Sequence, residues 1–423
     1  MSRFRLGRRQ TLGVIFGILG LFLVGYVAPN LDQMDKGLTL EPPPDPVKLV
    51  VDPPITTTAI GVVFILIAVA TFLERRSPRL ASGGLVLGTV LFIPLVLVLA
   101  LALSTSADTN VMQLLVESLR LGTPIALGAM AGLWCERAGV VNIGIEGMML
   151  GSACTGFLTY AVVGDGNTTS ALWLGIGVAV LTGGLLALLH AVLSVSFRVD
   201  QIISGVVINL LALGLTGFLR SEVLVDTGVS SGVPTDTIAL PLLSELPIVG
   251  DQLFTAKPIF FTTLLIVVGT ALVLSRTAFG LRVRSVGEHP HAAETLGIDP
   301  IRVRYRAVVI GGLIAGLGGA WFSMESQGGF QDNMTNGAGF IALAALIFGR
   351  WQPGTAFAGA MLFGFTRALG SRLQILDVTI GDFSIPSEFL QSLPYVVTII
   401  VVAGAIGRAV APAADGIPYE RSR

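Results

Sequence analysis

Charge is scarce in this chain: of 423 residues only 13% are Asp, Glu, Lys or Arg, and three, Lys36, Lys48 and Lys257, are lysine. A soluble domain carries roughly 25% charged residues, so a water-soluble globular protein is excluded. A disordered chain needs low hydrophobicity and high net charge; here 53% of residues are hydrophobic and the net charge is -1. That balance carries no sign of nucleic-acid binding. Cysteine and histidine are also rare. Cys135 and Cys154 lie in or beside apolar runs without C-x-x-C spacing and read as packing residues. The three histidines form no H-E-x-x-H or comparable set, so no metal site and no catalytic metal chemistry are expected. What is abundant is apolar sequence, with a mean hydropathy of +0.81.

A helix needs about 20 mainly apolar residues to cross a bilayer. Such runs occur at 11–28, 55–73, 83–103, 114–134, 143–163, 171–195, 201–219, 258–275, 305–324, 338–349, 354–371 and 389–407. The expected fold is an all-α, polytopic membrane bundle of about 10 to 12 transmembrane helices. The run at 338–349 is short enough to be re-entrant, and Pro124 interrupts the fourth. The first run follows Arg3, Arg5, Arg8 and Arg9, is longer than a signal-peptide core and lacks an A-x-A site, so it reads as an uncleaved anchor.

If the arginine-rich start is cytoplasmic, alternation assigns a side to every connection. The inner connections then hold 19 of the 26 basic and 8 of the 27 acidic residues, the outer ones 5 basic and 17 acidic. This is the bias the positive-inside rule requires, and it places both termini in the cytoplasm. Residues 29–54 and 220–257 become outer loops, and 276–304 an inner, basic loop.

Polar residues inside the spans need a reason, since a charge at a helix centre costs about 2.5–3.5 kcal/mol on insertion scales. Asn142 and Glu146 lie four apart, on one helical face, between glycines. They read either as a broken helix start beside a translocation route or as hydrogen-bonding ties to a neighbouring helix end. Gln201, Gly205, Asn209, Ala212 and Thr216 form one small, polar stripe that suits a pathway lining or a helix contact equally. The stripe Gly312, Ala315, Gly316, Gly319 and Ser323 reads as close packing. Glu117 and Arg120, three apart, read as a structural ion pair.

In the loop 276–304, Pro290 suits the first position of a helix, Ala292 and Ala293 favour helix, and Gly297 suits a left-handed stop. The pattern predicts a two-turn helix over 290–296 outside the membrane, with both alanines on its surface. It is small enough to enter a groove on another protein, and it reads equally as an ordinary surface helix.

Two stretches carry a resemblance. His291-Ala-Ala-Glu-Thr-Leu-Gly297 is similar to the E-A-A-x-x-x-G loop through which permeases of ATP-binding cassette importers dock on their ATPases, with His in place of the first Glu. Glu136-Arg137-Ala-Gly-Val-Val-Asn142-Ile-Gly144-Ile-Glu146-Gly147-Met-Met resembles a signature of the nucleoside and simple-sugar subgroup, in the wider family that also serves branched-chain amino acids. Residues 200–219 and Arg302-Val-Arg304-Tyr305 fit that subgroup too, and the resemblance runs from about 111 to 407.

The resemblance implies a non-enzymatic permease subunit for nucleosides or simple sugars in a bacterial cell membrane. Its implied partners are a cytoplasmic ATPase docked through Glu288, Pro290, Ala292, Ala293 and Gly297, a second permease, related but not identical, and an extracytoplasmic substrate-binding protein, all within a lipid bilayer. None of the three lysines follows a glycine, so the Gly-Lys-[Ser/Thr] end of a phosphate-binding loop is missing. ATP is therefore expected on the partner, and no cofactor on this chain. Asn142, Glu146, Gln201, Asn209 and Tyr395 are the candidates for the translocation pathway, Tyr395 as an aromatic platform for a base in the last span or as an interfacial tyrosine. Residues 1–105, with about three spans, read as an N-terminal extension, 106–410 as the permease core and 411–423 as a cytoplasmic tail. The rival reading is an ion-coupled secondary transporter of a small polar solute, for which Glu146 is the coupling candidate. An intramembrane enzyme has only His190 and Glu146 to work with.

Overall fold

The computed structural model describes residues 8–31, 36–39, 48–73, 108–164, 167–246, 250–375, 379–380, 383–384 and 409–421, with scattered positions between 80 and 98 and at 392. Helices dominate: α1 (Arg8–Phe22), α2 (Pro53–Phe72), α3 (Val111–Arg137), α4 (Ile145–Gly164), α5 (Thr169–Ala191), α6 (Gln201–Leu219), α7 (Gly250–Phe254), α8 (Pro258–Arg276), α9 (Ala278–Glu288), α10 (Pro290–Thr295), α11 (Pro300–Ala320), α12 (Ala338–Phe348) and α13 (Pro353–Ile375). Eight helical segments among the described residues are long and apolar enough to cross a membrane, from Gln10–Asn30 to Pro300–Ser326. They fall on the apolar runs expected between 11 and 324. The expected spans at 83–103 and 389–407 lie largely or wholly outside the described residues.

Local sequence explains the boundaries. Asp52 starts α2 by accepting a hydrogen bond from the Ile55 amide at 2.9 Å. Asp200 starts α6 by accepting from the amides of Ile202 and Ile203 at 2.9 and 3.0 Å. Prolines occupy the first turn of α2, α8, α10 and α11, where the missing N–H costs nothing. The run at 338–349 becomes the 11-residue helix α12. At 1.5 Å per residue it is roughly 16 Å long, about half a hydrocarbon core.

The described residues form two compact units. One comprises residues 1–116 and 366–407; in it α1 packs on α2, with Phe16 and Phe64 ring centroids 5.0 Å apart. It also holds a small sheet of 36–39, 48–51 and 108–110. The other comprises residues 117–365 and 408–423. At its centre α11 packs on α5 and α4 through the small-residue stripe: a Cβ at Gly312 would lie 2.5 Å from the Gly183 carbonyl oxygen, and one at Gly319 would lie 2.2 Å from that of Met149. Backbones this close admit no side chain, so this stripe is a helix contact.

On α6, the stripe residues Gln201, Gly205, Ala212 and Thr216 face inward, while Ile203, Val207, Leu210 and Phe218 are exposed. A helix with its polar face inward and its apolar face outward is arranged for a lipid or helix environment rather than water.

Candidate functional site

Between α3 and α4 the chain leaves helical geometry for residues 138–144. The exit is a Schellman turn: the Gly139 amide donates to the Glu136 carbonyl at 2.9 Å, and the Val140 amide to that of Cys135 at 3.1 Å. Gly139 has φ +81, a left-handed conformation that L side chains disfavour. Non-helical backbone among spanning helices must have its polar groups satisfied by protein, and here side chains do so. The Val141 amide donates to Gln201 Oε1 at 2.7 Å, and the Val141 carbonyl accepts from His190 Nε2 at 3.0 Å. His190 Nδ1 lies 3.0 Å from the Ser204 hydroxyl. Asn209 Nδ2 donates to the Ile143 carbonyl at 3.0 Å, and its Oδ1 accepts from the Gly147 amide at 2.7 Å. Asn142 Oδ1 accepts from the Gly144 amide at 3.0 Å, closing the turn from within.

The α6 backbone must come close for these bonds to form. A Cβ on Gly205 would sit 2.8 Å from the Gly144 nitrogen, which explains a glycine in mid-helix.

Glu146, in the first turn of α4, points across to another helix start. Its Oε1 accepts from the Thr335 hydroxyl at 2.6 Å and the Gly337 amide at 2.8 Å, and Oε2 from the Gly339 amide at 2.6 Å. A carboxylate at a helix N-terminus meets the free amides and the positive end of the dipole, so Glu146 holds the start of the half-length helix α12. The far end of α12 is tied to α3: Arg137 donates from Nε and a terminal nitrogen to the Trp351 carbonyl at 2.9 and 2.6 Å, and Trp351 Nε1 donates to Glu136. The Glu136–Glu146 stretch therefore clamps both ends of α12. Of the pathway candidates, Asn142, Gln201 and Glu146 are buried and Asn209 is half-buried, and all four are engaged in these bonds; Tyr395 lies outside the described residues.

His190, which the sequence offered only to an intramembrane enzyme, ties this knot instead, and residues the sequence did not single out complete it: Ser204, Thr335, Gly337 and Gly339. The Thr335-Asn-Gly337 turn before an apolar run was the sign of the last three.

The docking candidates form a separate feature. His289 caps α10 by accepting from the Ala292 amide at 3.1 Å, and Gly297 ends it with φ +80. Ala292 is exposed, but Ala293 is only 2% exposed. The expectation of two surface alanines is thus corrected: a six-residue helix resting on a bundle must turn one side inward, and the amide of Ile298 folds back to the Ala293 carbonyl at 3.1 Å. Glu288 and Pro290 lie at the α9–α10 corner, and Leu296, at 81% exposure, projects beside Gly297. α9 itself, amphipathic and joined to α8 by Thr277, was not foreseen.

At the other end of α4, a cavity of about 230 Å³ opens between Tyr160, Trp173, Val233, Thr235 and Asp236. Nearby, Glu117 and Arg120 form the expected pair at 3.5 Å, and Arg120 also donates to the Ser326 carbonyl at 3.1 Å. Cys135 and Cys154 are free and buried. No group of three or more metal-ligating side chains occurs among the described residues.

Spanning helices and one half-length helix around a broken segment satisfied by side chains define a multi-pass helical membrane protein. Residues 114–407 match the family described as "Branched-chain amino acid transport system / permease component". The chain belongs to that family and is a transport subunit of an ATP-binding cassette importer rather than an enzyme. It is 39% identical over 308 residues to the guanosine ABC transporter permease protein NupQ of Bacillus subtilis, covering 71% of this chain and 94% of that one. It is 38% identical over 317 residues to the nucleoside ABC transporter permease protein NupC of Lactococcus lactis, covering 74% and 99%. The guanosine ABC transporter permease protein NupP of Bacillus subtilis is 27% identical over 297 residues, covering 68% and 80%. No solved structure matches.

Proposed function

We propose that this permease forms half of a translocation pathway for nucleosides, with simple sugars as the neighbouring substrate class, in a bacterial cell membrane. The observation that carries the substrate reading is identity at more than a third of the aligned positions with NupQ and NupC, both named for nucleoside transport. Bacillus subtilis has two guanosine permeases, NupQ and NupP, similar to this chain to different degrees. That supports a second, related but non-identical permease as the other half. The bundle has 10 to 12 crossings with both termini cytoplasmic, residues 1–105 are an extension outside the 106–410 core, and residues 411–423 are a cytoplasmic tail. A cytoplasmic ATPase seats on α10 and Leu296, and an extracytoplasmic binding protein delivers substrate at the end where Tyr160 and Trp173 frame the cavity.

In the transport cycle the ATPase supplies differential binding energy for two states that expose one site to opposite sides. Asn142, Gln201, Asn209 and Glu146 hold the broken segment beside that site rather than grip the substrate, since their polar atoms are largely committed to backbone. Substrate competition tests this reading: radiolabelled guanosine uptake by cells expressing the full transporter is displaced by unlabelled nucleosides. Displacement by branched-chain amino acids, with no effect of nucleosides or glucose, would overturn it.

A further inference from the structure

Residues 409–421 do not hang free. They run across the end of the bundle where the docking helix lies and touch four elements. The Ala414 amide donates to the Gly287 carbonyl at 2.9 Å and the Ala413 amide to Glu288 Oε2 at 3.3 Å, at the end of α9. On α10, the Tyr419 ring packs on His291 with centroids 5.1 Å apart, and Arg421 Nε donates to Glu294 Oε1 at 3.1 Å. Glu420 pairs with Arg198, in the α5–α6 connection, at 2.6 Å. The fourth tie is the deepest: the Arg304 side chain, 1% exposed and rooted in α11, donates to the Ile417 carbonyl at 3.0 Å and to the Ala138 carbonyl at 3.2 Å. One guanidinium thus joins this segment to the first residue of the break between α3 and α4. The segment also lies directly on that break: a Cβ at Gly139 would sit 2.9 Å from the Ala414 carbonyl oxygen, and one at Gly416 would sit 3.4 Å from Val141.

The two exposed ion pairs contribute little by themselves. Tyr419, 4% exposed, and the buried Ala414 give the segment an apolar seat. Arg304 contributes geometry, since its planar fork reaches two carbonyls that a lysine ammonium on a single flexible stem would not hold together.

We propose that residues 409–421, anchored by Arg304, act as a brace that carries displacement of the docking helix α10 into the break at 138–144. The proposal rests on the reading that the ATPase seats on α10. In that reading α10 is a short lever that faces solvent at Ala292 and is joined to the bundle by the α9–α10 corner, the buried Ala293 and the turn at Gly297. The brace adds a direct connection to the segment that Gln201, His190 and Asn209 suspend. Arg304 is a positioning residue in this device.

The test uses the complete transporter in vesicles, with ATP hydrolysis and substrate uptake measured together. Three variants are compared with the parent: a chain ending at Val410, Tyr419→Ala, and Arg304→Lys. The proposal expects the ATPase to remain bound and to hydrolyse ATP, while uptake per ATP falls about tenfold, within the usual range of coupling between sites. A purely structural role would lower the yield of complex and leave that ratio at its parental value, which would overturn the brace. Loss of the ATPase from the complex would also overturn it, making the segment a direct docking contact. If the shortened chain does not fold, Tyr419→Ala and Arg304→Lys decide by the same ratio. A separate Ala292→Glu variant tests the underlying reading: parental coupling there removes α10 from the ATPase interface whatever the brace variants show.

Discussion

Glu146 is one of the buried ionisable residues whose partners are invisible in sequence. Its position, four residues after Asn142 inside an apolar run, marked it as a residue with a task; its three donors lie between Thr335 and Gly339, nearly two hundred residues further on. Long-range closure of that kind leaves no local pattern, so the position was legible and the role was not. Glu146→Ala strands one hydroxyl and two backbone amides, and hydrogen bonds to charged groups contribute about 1.5–3 kcal/mol each. The variant is expected to lose about 3 kcal/mol or more, read by denaturation in detergent. Unchanged stability with abolished uptake would instead place Glu146 in the pathway. Asp415 gives a second prediction at this scale. Burial pushes its carboxyl from 3.8 up to about 7, against the lowering influence of Arg304 on α11 and its bond from the Gly416 amide. The other groups facing it are Glu136 and Cys135 on α3. Because the folded state holds this proton more tightly, the contribution of Asp415 to stability is fully present below pH 3.8 and is lost as pH rises to about 7. Asp415→Asn removes that slope; parallel pH–stability curves for variant and parent would contradict it.

Among the elements, long helices were legible from apolar length alone, because a span must satisfy its backbone internally and so keeps a composition that sequence displays. Shorter elements depended on particular residues. Pro290 and Gly297 marked the ends of α10 correctly, whereas which alanine faces out depended on how a six-residue helix rests on its neighbours. The run at 338–349, short enough in sequence to be re-entrant, is the half-length helix α12 because Gly337 and Gly349 bracket it and Glu146 and Arg137 clamp both ends. These positions separate two variants that sequence treats alike. Ala292→Glu is expected to leave the fold intact and lower uptake per ATP about tenfold. Ala293→Glu buries a charge and is expected to reduce the amount of folded protein. Equal folded yields for the two would contradict the burial assignment.

For the whole molecule, the low charge content excluded a soluble protein, and the distribution of that charge set the expected orientation of the bundle. Composition could do this because lipid imposes one rule on every span. It could not reveal the transverse ties, such as Arg304 to Ala138 and Ile417, which join segments remote in sequence at one end of the bundle. The central claim is that this subunit moves its substrate only under the drive of a separate ATPase. The most direct measurement is uptake of guanosine into vesicles holding the complete transporter, with and without the ATPase, and with and without an ion gradient. The account predicts uptake that stops when the ATPase or ATP is withheld and persists when proton and sodium gradients are dissipated. Uptake that continues without the ATPase and collapses with the gradient would contradict it.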